Sequence, residues 1–393
     1  MPSVAKKQRL KNPAPPQAIR RAAIRIADAD GTVRSIGRGR WEVASESSPG
    51  SWHRVAVTEG GIVCDCPYHL GRKGAACKHS VAVEIIMLRE AGEVGPGEPV
   101  VLEPAGPRCP ACGSKNMRRD GTRPRGRREP AQRYKCGERT CGTRFSGGPG
   151  FAGRHLPPEA ILLSLLIYSM GISPEGITLV LDQQMDLKVH RTTVQRWADR
   201  YVGMVDRYTG GLRIRAGRKW SSDEKFVRVV GADHWVFTVM DTASRFVLSW
   251  DVSPDKMNYH AARLLERAAD RAGHIPLIFV TDRLQAFSSA FRKVFWRSRN
   301  PQPVHFRESH IRSRRCNNNC HERFNGTLSE RLGTARGIQR TDSTLVVASL
   351  LHYNFVRPHL GLGGITPARA AGITIRGTNV WLTLIQHAAL AAA

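Results

Sequence analysis

The cysteines of this 393-residue chain follow two metal-ligand patterns, and these indicate small metal-stabilised modules near its N-terminus. Seven of the nine cysteines lie between Cys64 and Cys141. In CDCPYHLGRKGAACKH, the pair Cys64 and Cys66 has the same one-residue spacing as Cys77 and His79. Alternate residues of an extended segment point to one face, so each pair can hold the same ion. Three thiolates and an imidazole complete a closed tetrahedral zinc shell, which suits a structural site.

This first pattern resembles the SWIM zinc finger, CxC…CxH, over about residues 38–90. The alternation in RWEVAS predicts a strand before the ligands, and HSVAVEIIMLREA predicts a helix after them. Lys78 lies beside the ligands and would favour ionised thiolates. His69, between the two pairs, is interpreted as a loop residue rather than a ligand. The resemblance implies a module that binds DNA or protein, and free cysteines with a surface histidine are the alternative.

A second set of cysteines follows in CPACGS and YKCGERTCGTRF, namely Cys109, Cys112, Cys136 and Cys141. The first pair has the CxxC spacing of a zinc knuckle, whereas four residues separate the second pair. The whole resembles the N-terminal zinc ribbon of many insertion-sequence transposases, in which a basic hairpin separates the knuckles. The resemblance implies that arginines of this hairpin lie along DNA phosphates: Arg118, Arg119, Arg125, Arg127 and Arg128.

The charge balance favours a polyanionic partner. The chain has 60 Lys and Arg against 33 Asp and Glu, a formal charge of +27. We expect nucleic acid, with a solubilising surface as the alternative. A membrane partner is not expected, because no amphipathic basic helix is visible and the longest apolar runs are too short to span a bilayer. With no signal peptide visible, we expect a cytoplasmic, nucleoid-associated protein with reduced cysteines.

A helix-turn-helix is predicted between the cysteines and the C-terminal half. Ser173 followed by Pro174 marks a helix start, because serine caps and proline suits the first helical position. A short turn, MDLKV, then leads into HRTTVQRWADRYV. Three residues of this helix recur at helical spacing and should face a core: Val194, Trp197 and Tyr201. The other face could meet a major groove through Thr192, Thr193, Gln195 and Arg196. A plain helical hairpin is the alternative.

Strands and helices alternate from residue 219 onward, which predicts an α/β domain. Three acids occupy places that converge at one edge of a ribonuclease H-like sheet. Asp223 opens the first strand, Asp282 ends the strand PLIFVTD, and Glu322 lies in a helix entered from an asparagine-rich turn. Carboxylates bind hard divalent ions through oxygen. Two such ions about 4 Å apart can activate a nucleophile and stabilise a leaving oxygen.

The sequence around these acids is more specific than the acids themselves. VTDR, NNxxERFNGTL and YNFVRPHLGLGGITPA strongly resemble DDE transposases of bacterial and archaeal insertion sequences, over about residues 155–372. The resemblance implies the triad Asp223, Asp282 and Glu322 with Mg²⁺ (or Mn²⁺), Asp223 on both ions and the other two on one each. It implies that water cleaves double-stranded DNA at the element end and that the freed 3′ hydroxyl attacks target DNA. Pairing of two element ends implies a homodimer.

Neighbouring residues leave alternatives open. Glu224 could replace Asp223 as a ligand, although strand alternation should turn it to the opposite face. Asp241 in VMDTASR is interpreted as a turn residue, and Glu330 as a solvated one. Cys316 and Cys320, with His310 and His321 nearby, are interpreted as structural rather than as a third zinc site. His321 and Arg323 could contact DNA or the scissile phosphate. For Arg357 and His359, contact with DNA and structural packing are both open.

These features predict a multi-domain α+β protein with zinc-finger modules, a helix-turn-helix region and an α/β ribonuclease H-like catalytic domain. The predicted order is a basic disordered arm (1–20), a SWIM-type zinc-finger domain (21–93), a linker (94–107), a zinc ribbon with a basic insert (108–150), a helix-turn-helix region (155–210), the catalytic domain (215–372) and a C-terminal tail (373–393). Two alternatives to a transposase are a transposase-derived DNA-binding regulator without catalysis and a metal-dependent nuclease of ribonuclease H type.

Overall fold

The protein has a mixed α+β fold, as its sequence predicts, in a computed structural model. The structure describes residues 17–58, 61–72, 75–92, 98–106, 108–125, 128–151, 156–282, 284–296, 303–306, 319–333, 338 and 340–392. Within these ranges, no helix is both long enough and apolar enough to cross a bilayer.

The N-terminal module combines one antiparallel sheet with flanking helices. Strands β1 (Val33–Gly37), β2 (Arg40–Ala44), β3 (Trp52–Thr58) and β4 (Gly61–Cys64) pair in that order. The predicted strand and helix of the SWIM-like pattern correspond to β2 and α3, and both are confirmed. The helices are α1 (Gln17–Asp28), α2 (Pro67–Gly71) and α3 (Lys78–Gly92). Helix α1 begins inside the predicted arm, whose residues 1–16 lie outside the described ones.

The predicted linker and the predicted tail meet in one small sheet. Strand β5 (Val100–Leu102) lies in the linker, and it pairs in parallel with β14 (Ile373–Ile375) in the tail. Helix α12 (Val380–Ala391) follows β14, and its Trp381 and Ile385 are buried in the largest hydrophobic cluster. Both segments are therefore structural parts of the fold. The region predicted as a zinc ribbon, residues 108–150, has three antiparallel strands: β6 (Met117–Arg125), β7 (Arg128–Cys136) and β8 (Arg144–Ser146).

Three helices occupy the predicted helical region: α4 (Pro158–Ser169), α5 (Pro174–Met185) and α6 (Arg191–Gly210). The predicted helix start is confirmed, because the Ser173 hydroxyl accepts a hydrogen bond from the Gly176 amide at 3.2 Å and Pro174 is the first helical residue. The predicted core face is also confirmed, since Val194, Trp197 and Tyr201 are buried. The two helices α5 and α6 are thus joined by a short turn, as expected for a helix-turn-helix.

The C-terminal half contains the predicted α/β sheet, in the order β11-β10-β9-β12-β13. Its strands are β9 (Lys219–Val229), β10 (Ala232–Asp241), β11 (Val247–Ser253), β12 (Ile278–Thr281) and β13 (Val304–Phe306). The first three are antiparallel, whereas β12 is parallel to both of its neighbours. The accompanying helices are α7 (Asn258–Ala272), α8 (Gln285–Phe291), α9 (Asn319–Gly333), α10 (Thr344–Leu351) and α11 (Pro367–Ala370).

Hydrophobic packing covers this sheet on both faces and at one edge. Phe237 and Val239 of β10 share the largest cluster with α7 and α8. On the other side, Val236 and Met240 of β10 pack with residues of α9 and α10. At the edge, β12 and β13 share a cluster with the N-terminal module, whose members from the sheet are Leu277, Ile278, Val280 and Val304. The first cysteine module therefore packs against strands β12 and β13 of the α/β sheet.

Candidate active site and metal centres

The end of β12 brings two acids side by side. In the parallel register, Thr281 pairs with Ser222, so the next residues along the two strands are Asp282 and Asp223. Strand β12 stops at Thr281, while β9 continues to Val229. Carboxylate oxygens of Asp223, Glu224 and Asp282 lie within 4.8 Å of one another. Two of the three acids predicted from the sequence thus meet at this sheet edge, together with Glu224.

Backbone and side-chain amides orient these carboxylates. The Asp223 Oδ1 atom accepts a hydrogen bond from the Glu224 amide at 3.0 Å, and its Oδ2 accepts one from Asn325 Nδ2, also at 3.0 Å. The Asp282 Oδ1 atom accepts from the Leu284 amide at 3.0 Å. Burial, and then the neighbouring charge of Glu224, raises the pKa of Asp223 to about 7. The cluster therefore resists full ionisation unless a cation joins it.

Glu224, which the sequence leaves open as an alternative ligand, also brings an oxygen within 4.8 Å of oxygens of Asp223 and Asp282. Glu224 lies beyond Ser222, the last β9 residue that β12 pairs with, so no neighbouring strand separates its longer side chain from Asp282. Its Oε1 accepts from Lys256 Nζ at 2.6 Å. Its Oε2 is buried, and no residue in the described part of the chain hydrogen-bonds to it. Burial raises the pKa of Glu224, and the hydrogen bond from Lys256 opposes this.

Glu322 approaches the site from the first turn of α9. Its side chain is exposed, and it lies outside the group of oxygens within 4.8 Å. Its charge nevertheless contributes to the raised pKa of Asp223. Asn325, one helical turn later, makes the direct contact with Asp223. The structure thus places the third predicted acid beside the cluster, on a helix that is hydrogen-bonded to it.

His321 anchors that helix, and the expectation that it could contact DNA is wrong. It is fully buried, with Nδ1 3.0 Å from Ser221 Oγ and Nε2 2.5 Å from Thr238 Oγ1. Burial lowers the pKa of His321 to about 3, so the ring is neutral. Arg323, two residues on, is exposed.

The structure also gives the surroundings of the other residues considered near these acids. Asp241 is a turn residue, as predicted, since it ends β10 and accepts hydrogen bonds from the amides of Ala243 and Ser244. His359 packs against Tyr353, with ring centroids 4.6 Å apart. The exposed Arg357 donates to Thr327 Oγ1 at 3.1 Å, and Glu330 is exposed, as predicted. Cys316 and His310 lie outside the described residues, whereas Cys320 is half-buried.

The first cysteine cluster has the geometry of a zinc site. Ligand atoms of Cys64, Cys66, Cys77 and His79 lie within 4.8 Å of one another, and all four residues are buried. His79 Nδ1 is 3.8 Å from Cys64 Sγ and 4.0 Å from Cys77 Sγ. A tetrahedral ion with Zn–S of about 2.3 Å and Zn–N of about 2.0 Å places the sulfur and nitrogen ligand atoms about 3.5 Å apart. His69 is not among these ligands, as expected, but it is buried in α2 rather than in a loop.

The second cluster also fits zinc, despite its wider second pair. Ligand atoms of Cys109, Cys112, Cys136 and Cys141 lie within 4.8 Å of one another. Cys109 Sγ is 3.5 Å from Cys141 Sγ, and Cys112 Sγ is 3.6 Å from Cys136 Sγ. Tetrahedral thiolates around zinc are about 3.8 Å apart. Both predicted ligand sets are thus brought together by the fold.

The residues predicted to contact DNA differ in how far their side chains are exposed to solvent. Arg118 and Arg119 are exposed on β6, and Thr192 and Arg196 are exposed on α6. Thr193 is half-exposed. The structure describes only the backbone of Arg125 and Arg128, and Arg127 lies outside the described residues.

Gln195, the remaining predicted DNA contact, is engaged within the protein. Its amide donates to Asp199 Oδ1 at 2.9 Å and to Tyr168 Oη at 3.5 Å. It lines a groove of about 1630 Å³ between helices α5 and α6 and residues 340–347. Its amide is therefore less available to read bases than the sequence suggests.

Comparisons with known proteins find one family match, in the C-terminal half of the chain. Residues 217–352 match a family described as "DDE domain". The HTLV-2 integrase catalytic core domain in complex with magnesium (trimeric form) is similar in structure, with 16% identity over 40% of this chain and 97% of that one, at a TM-score of 0.30. A simian T-cell lymphotropic virus intasome in complex with a PP2A regulatory subunit has 15% identity over 53% of this chain and 72% of that one, at 0.30. No curated protein sequence matches. The matched region includes Asp223, Asp282 and Glu322, and the chain therefore contains a DDE domain.

Proposed function

We propose that this protein cleaves double-stranded DNA at the ends of an insertion sequence and joins the freed 3′ ends to target DNA. The observation that carries the proposal is the meeting of Asp223 and Asp282 at one sheet edge of a DDE domain, beside the helix of Glu322. Chemistry of this kind needs no covalent protein–DNA intermediate, so no nucleophilic serine, tyrosine or cysteine is required.

The donor set suits Mg²⁺ or Mn²⁺. All of its ligand atoms are carboxylate oxygens, and Glu224 also has a buried oxygen, Oε2, with no hydrogen-bond partner among the described residues. Asp223, Asp282 and Glu322 would hold two ions, with Asp223 shared between them. Such ions, when bound, activate water and stabilise the leaving oxygen of an in-line displacement. The amides of Asn325 and Leu284 hold two of the carboxylates in place for this purpose.

DNA would be bound by the modules outside the sheet. The exposed Arg118 and Arg119 of the ribbon suit phosphates, and so does the net charge of +27. On α6, we assign DNA contact to Thr192, Thr193 and Arg196. The two cysteine clusters would each hold one structural Zn²⁺. Two element ends brought together imply a dimer, and chromosomal DNA as substrate implies an intracellular protein.

A strand-transfer assay with Asp282→Asn tests the proposal. Purified protein is incubated with labelled element ends, target DNA and Mg²⁺, and cleaved and joined products are separated on a gel. We expect Asp282→Asn to bind DNA but to lose both products, whereas Asp233→Asn, a matched change on an exposed residue of the same sheet, should keep them. Full activity of Asp282→Asn contradicts the assignment. Binding without nicking by the unmodified protein favours a DNA-binding regulator.

A further inference from the structure

Only one of the two carboxylate oxygens of Glu224 is paired with a cation among the described residues. Its side chain is only 10% exposed, and Oε1 is bound by Lys256. Oε2 has no hydrogen-bond partner among the residues that the structure describes. A buried carboxylate oxygen without a partner is costly, because it has lost its water and gained nothing in return. Such an oxygen indicates that another group completes this site.

The position of Glu224 points to a divalent ion as that group. One of its oxygens lies within 4.8 Å of oxygens from both Asp223 and Asp282. A Mg²⁺ ion lies about 2.1 Å from each oxygen ligand, so oxygens up to about 4.2 Å apart can share one ion. Small rotations of these side chains would bring all three oxygens within that limit. The short β12 makes this arrangement possible, because Glu224 lies beyond Ser222, the last β9 residue that pairs with β12.

Lys256 is the cationic partner of Glu224 in this structure. Its Nζ lies 2.6 Å from Glu224 Oε1 and 5.2 Å from the centroid of the Trp235 ring. The aromatic face helps to hold the ammonium group there. The Lys256 side chain is 34% exposed, so its ammonium group can turn towards solvent. A doubly charged ion binds a carboxylate oxygen more closely than an ammonium group does, and it would compete with Lys256 for Glu224.

We infer that Glu224 is a fourth oxygen donor of the active site, and that Lys256 holds it until a divalent ion takes its place. The inference rests on the proposed function, since it assumes that the carboxylate cluster binds metal. It adds a ligand to the triad and assigns Lys256 a positioning role. It also explains why a lysine is paired with an acid that has a second, unpartnered oxygen.

Titration of the zinc-loaded full chain with Mn²⁺, without DNA, tests the inference, with free Mn²⁺ followed by electron paramagnetic resonance. We expect Glu224→Gln to weaken Mn²⁺ binding by about tenfold or more. Lys256→Met should tighten binding severalfold, because it removes the competing cation. The matched control Glu266→Gln, on an exposed residue of α7, should bind as the unmodified protein does. Unchanged thermal unfolding verifies that each variant is folded.

The outcomes separate this inference from the proposed function. Asp282→Asn should also weaken Mn²⁺ binding if the cluster is a metal site at all. Weakening by Asp282→Asn without any effect of Glu224→Gln overturns the role of Glu224 alone. Unchanged or weaker binding by Lys256→Met overturns the competition. Undiminished binding in Asp282→Asn means that the proposed metal site itself is wrong.

Discussion

Asn325 donates a hydrogen bond of 3.0 Å to the carboxylate of Asp223, and this contact joins α9 to the central strand β9. Glu322 lies three residues before Asn325, and residues at this spacing share one face of a helix. The contact between Asn325 and Asp223 therefore helps to set the distance between Glu322 on α9 and Asp223 on β9. His321, four residues before Asn325 on the same helix face, is buried and contacts Ser221 of β9 and Thr238 of β10.

Replacing Asn325 by alanine should slow strand transfer while leaving the fold intact. A hydrogen bond to a charged group contributes about 1.5–3 kcal/mol, so we expect a ten- to hundredfold loss of rate if Asp223 must be held in place. The rate would be measured with labelled element ends under single-turnover conditions. Asn258→Ala, on the exposed first turn of α7, is the matched control. A rate equal to that of the unmodified protein would show that the Asn325 amide does not position Asp223.

Replacing His321 by alanine should destabilise the protein strongly. The change leaves a cavity and deprives two buried hydroxyls, on Ser221 and Thr238, of their partner. We expect a loss of about 3–5 kcal/mol in the free energy of unfolding, measured by urea denaturation. His234→Ala, at the far end of β10, should cost under about 0.5 kcal/mol. Equal stability of the two variants would mean that His321 does not anchor α9.

The sequence was sufficient to predict the parts of the site that depend on local pattern. The ligand spacings of both cysteine sets, the cap at Ser173 and the strand that ends at Asp282 are all short-range features, and the structure has them. Alternation alone does not show how close Glu224 comes to Asp282, because it gives the face of a side chain and not the length of the neighbouring strand. The structure shows that β12 ends at Thr281, so no residue of β12 pairs with Asp223 or Glu224. The end of a strand of four residues cannot be predicted from sequence to within one residue.

Long-range packing was the other part that the sequence could not supply. Nothing in the pattern of α3 indicates that it covers the edge of a sheet some 200 positions later, yet Val81 and Met87 share a cluster with Ile278 and Val304. Asn325 was missed for a similar reason. Its amide matters only because α9 is brought to β9 by the fold. The pairing of β5 with β14 likewise joins a predicted linker to a predicted tail.

Loss of the proposed zinc ion from the first cluster should loosen the α/β sheet. Cys64, Cys66 and Cys77 belong to the hydrophobic cluster that includes Ile278 of β12. Because metal binding energy is folding energy in small zinc modules, Cys77→Ser should lower the melting temperature and speed amide exchange in β12, which leads to Asp282.

The second cysteine cluster provides the control for this prediction. Its cysteines pack with Phe145 in a separate small cluster that contains no residue of the α/β sheet. Cys112→Ser should therefore leave amide exchange in β12 unchanged, even if the ribbon itself unfolds. Equal exchange rates in the two variants would contradict the coupling between the first zinc site and the sheet.

Removing Arg118 and Arg119 together should make DNA binding less sensitive to salt. Each arginine–phosphate contact contributes about 0.9 to the slope of log affinity against log salt concentration, so the double alanine variant should lose about 1.8 from it. The slope would be measured by fluorescence anisotropy. Arg144→Ala is the control, since Arg144 is paired with Asp120 at 2.9 Å. An unchanged slope in the double variant would exclude these arginines from the phosphate contacts.

His352 should make the stability of the protein fall in mild acid. Burial, and then the charges of Arg331, Arg357 and His359, lowers the pKa of His352 from 6.5 to about 3. The folded protein thus keeps this ring neutral, whereas the unfolded chain takes up a proton below about pH 6.5. The stabilisation is complete above that pH and is lost as the pH falls towards 3, by about 1.4 kcal/mol per pH unit. Urea unfolding of the unmodified protein and of His352→Phe at pH 7 and pH 5 isolates this contribution. The unmodified protein should lose about 2 kcal/mol more than the variant between these two values, and equal losses would show that His352 is not held neutral by its surroundings.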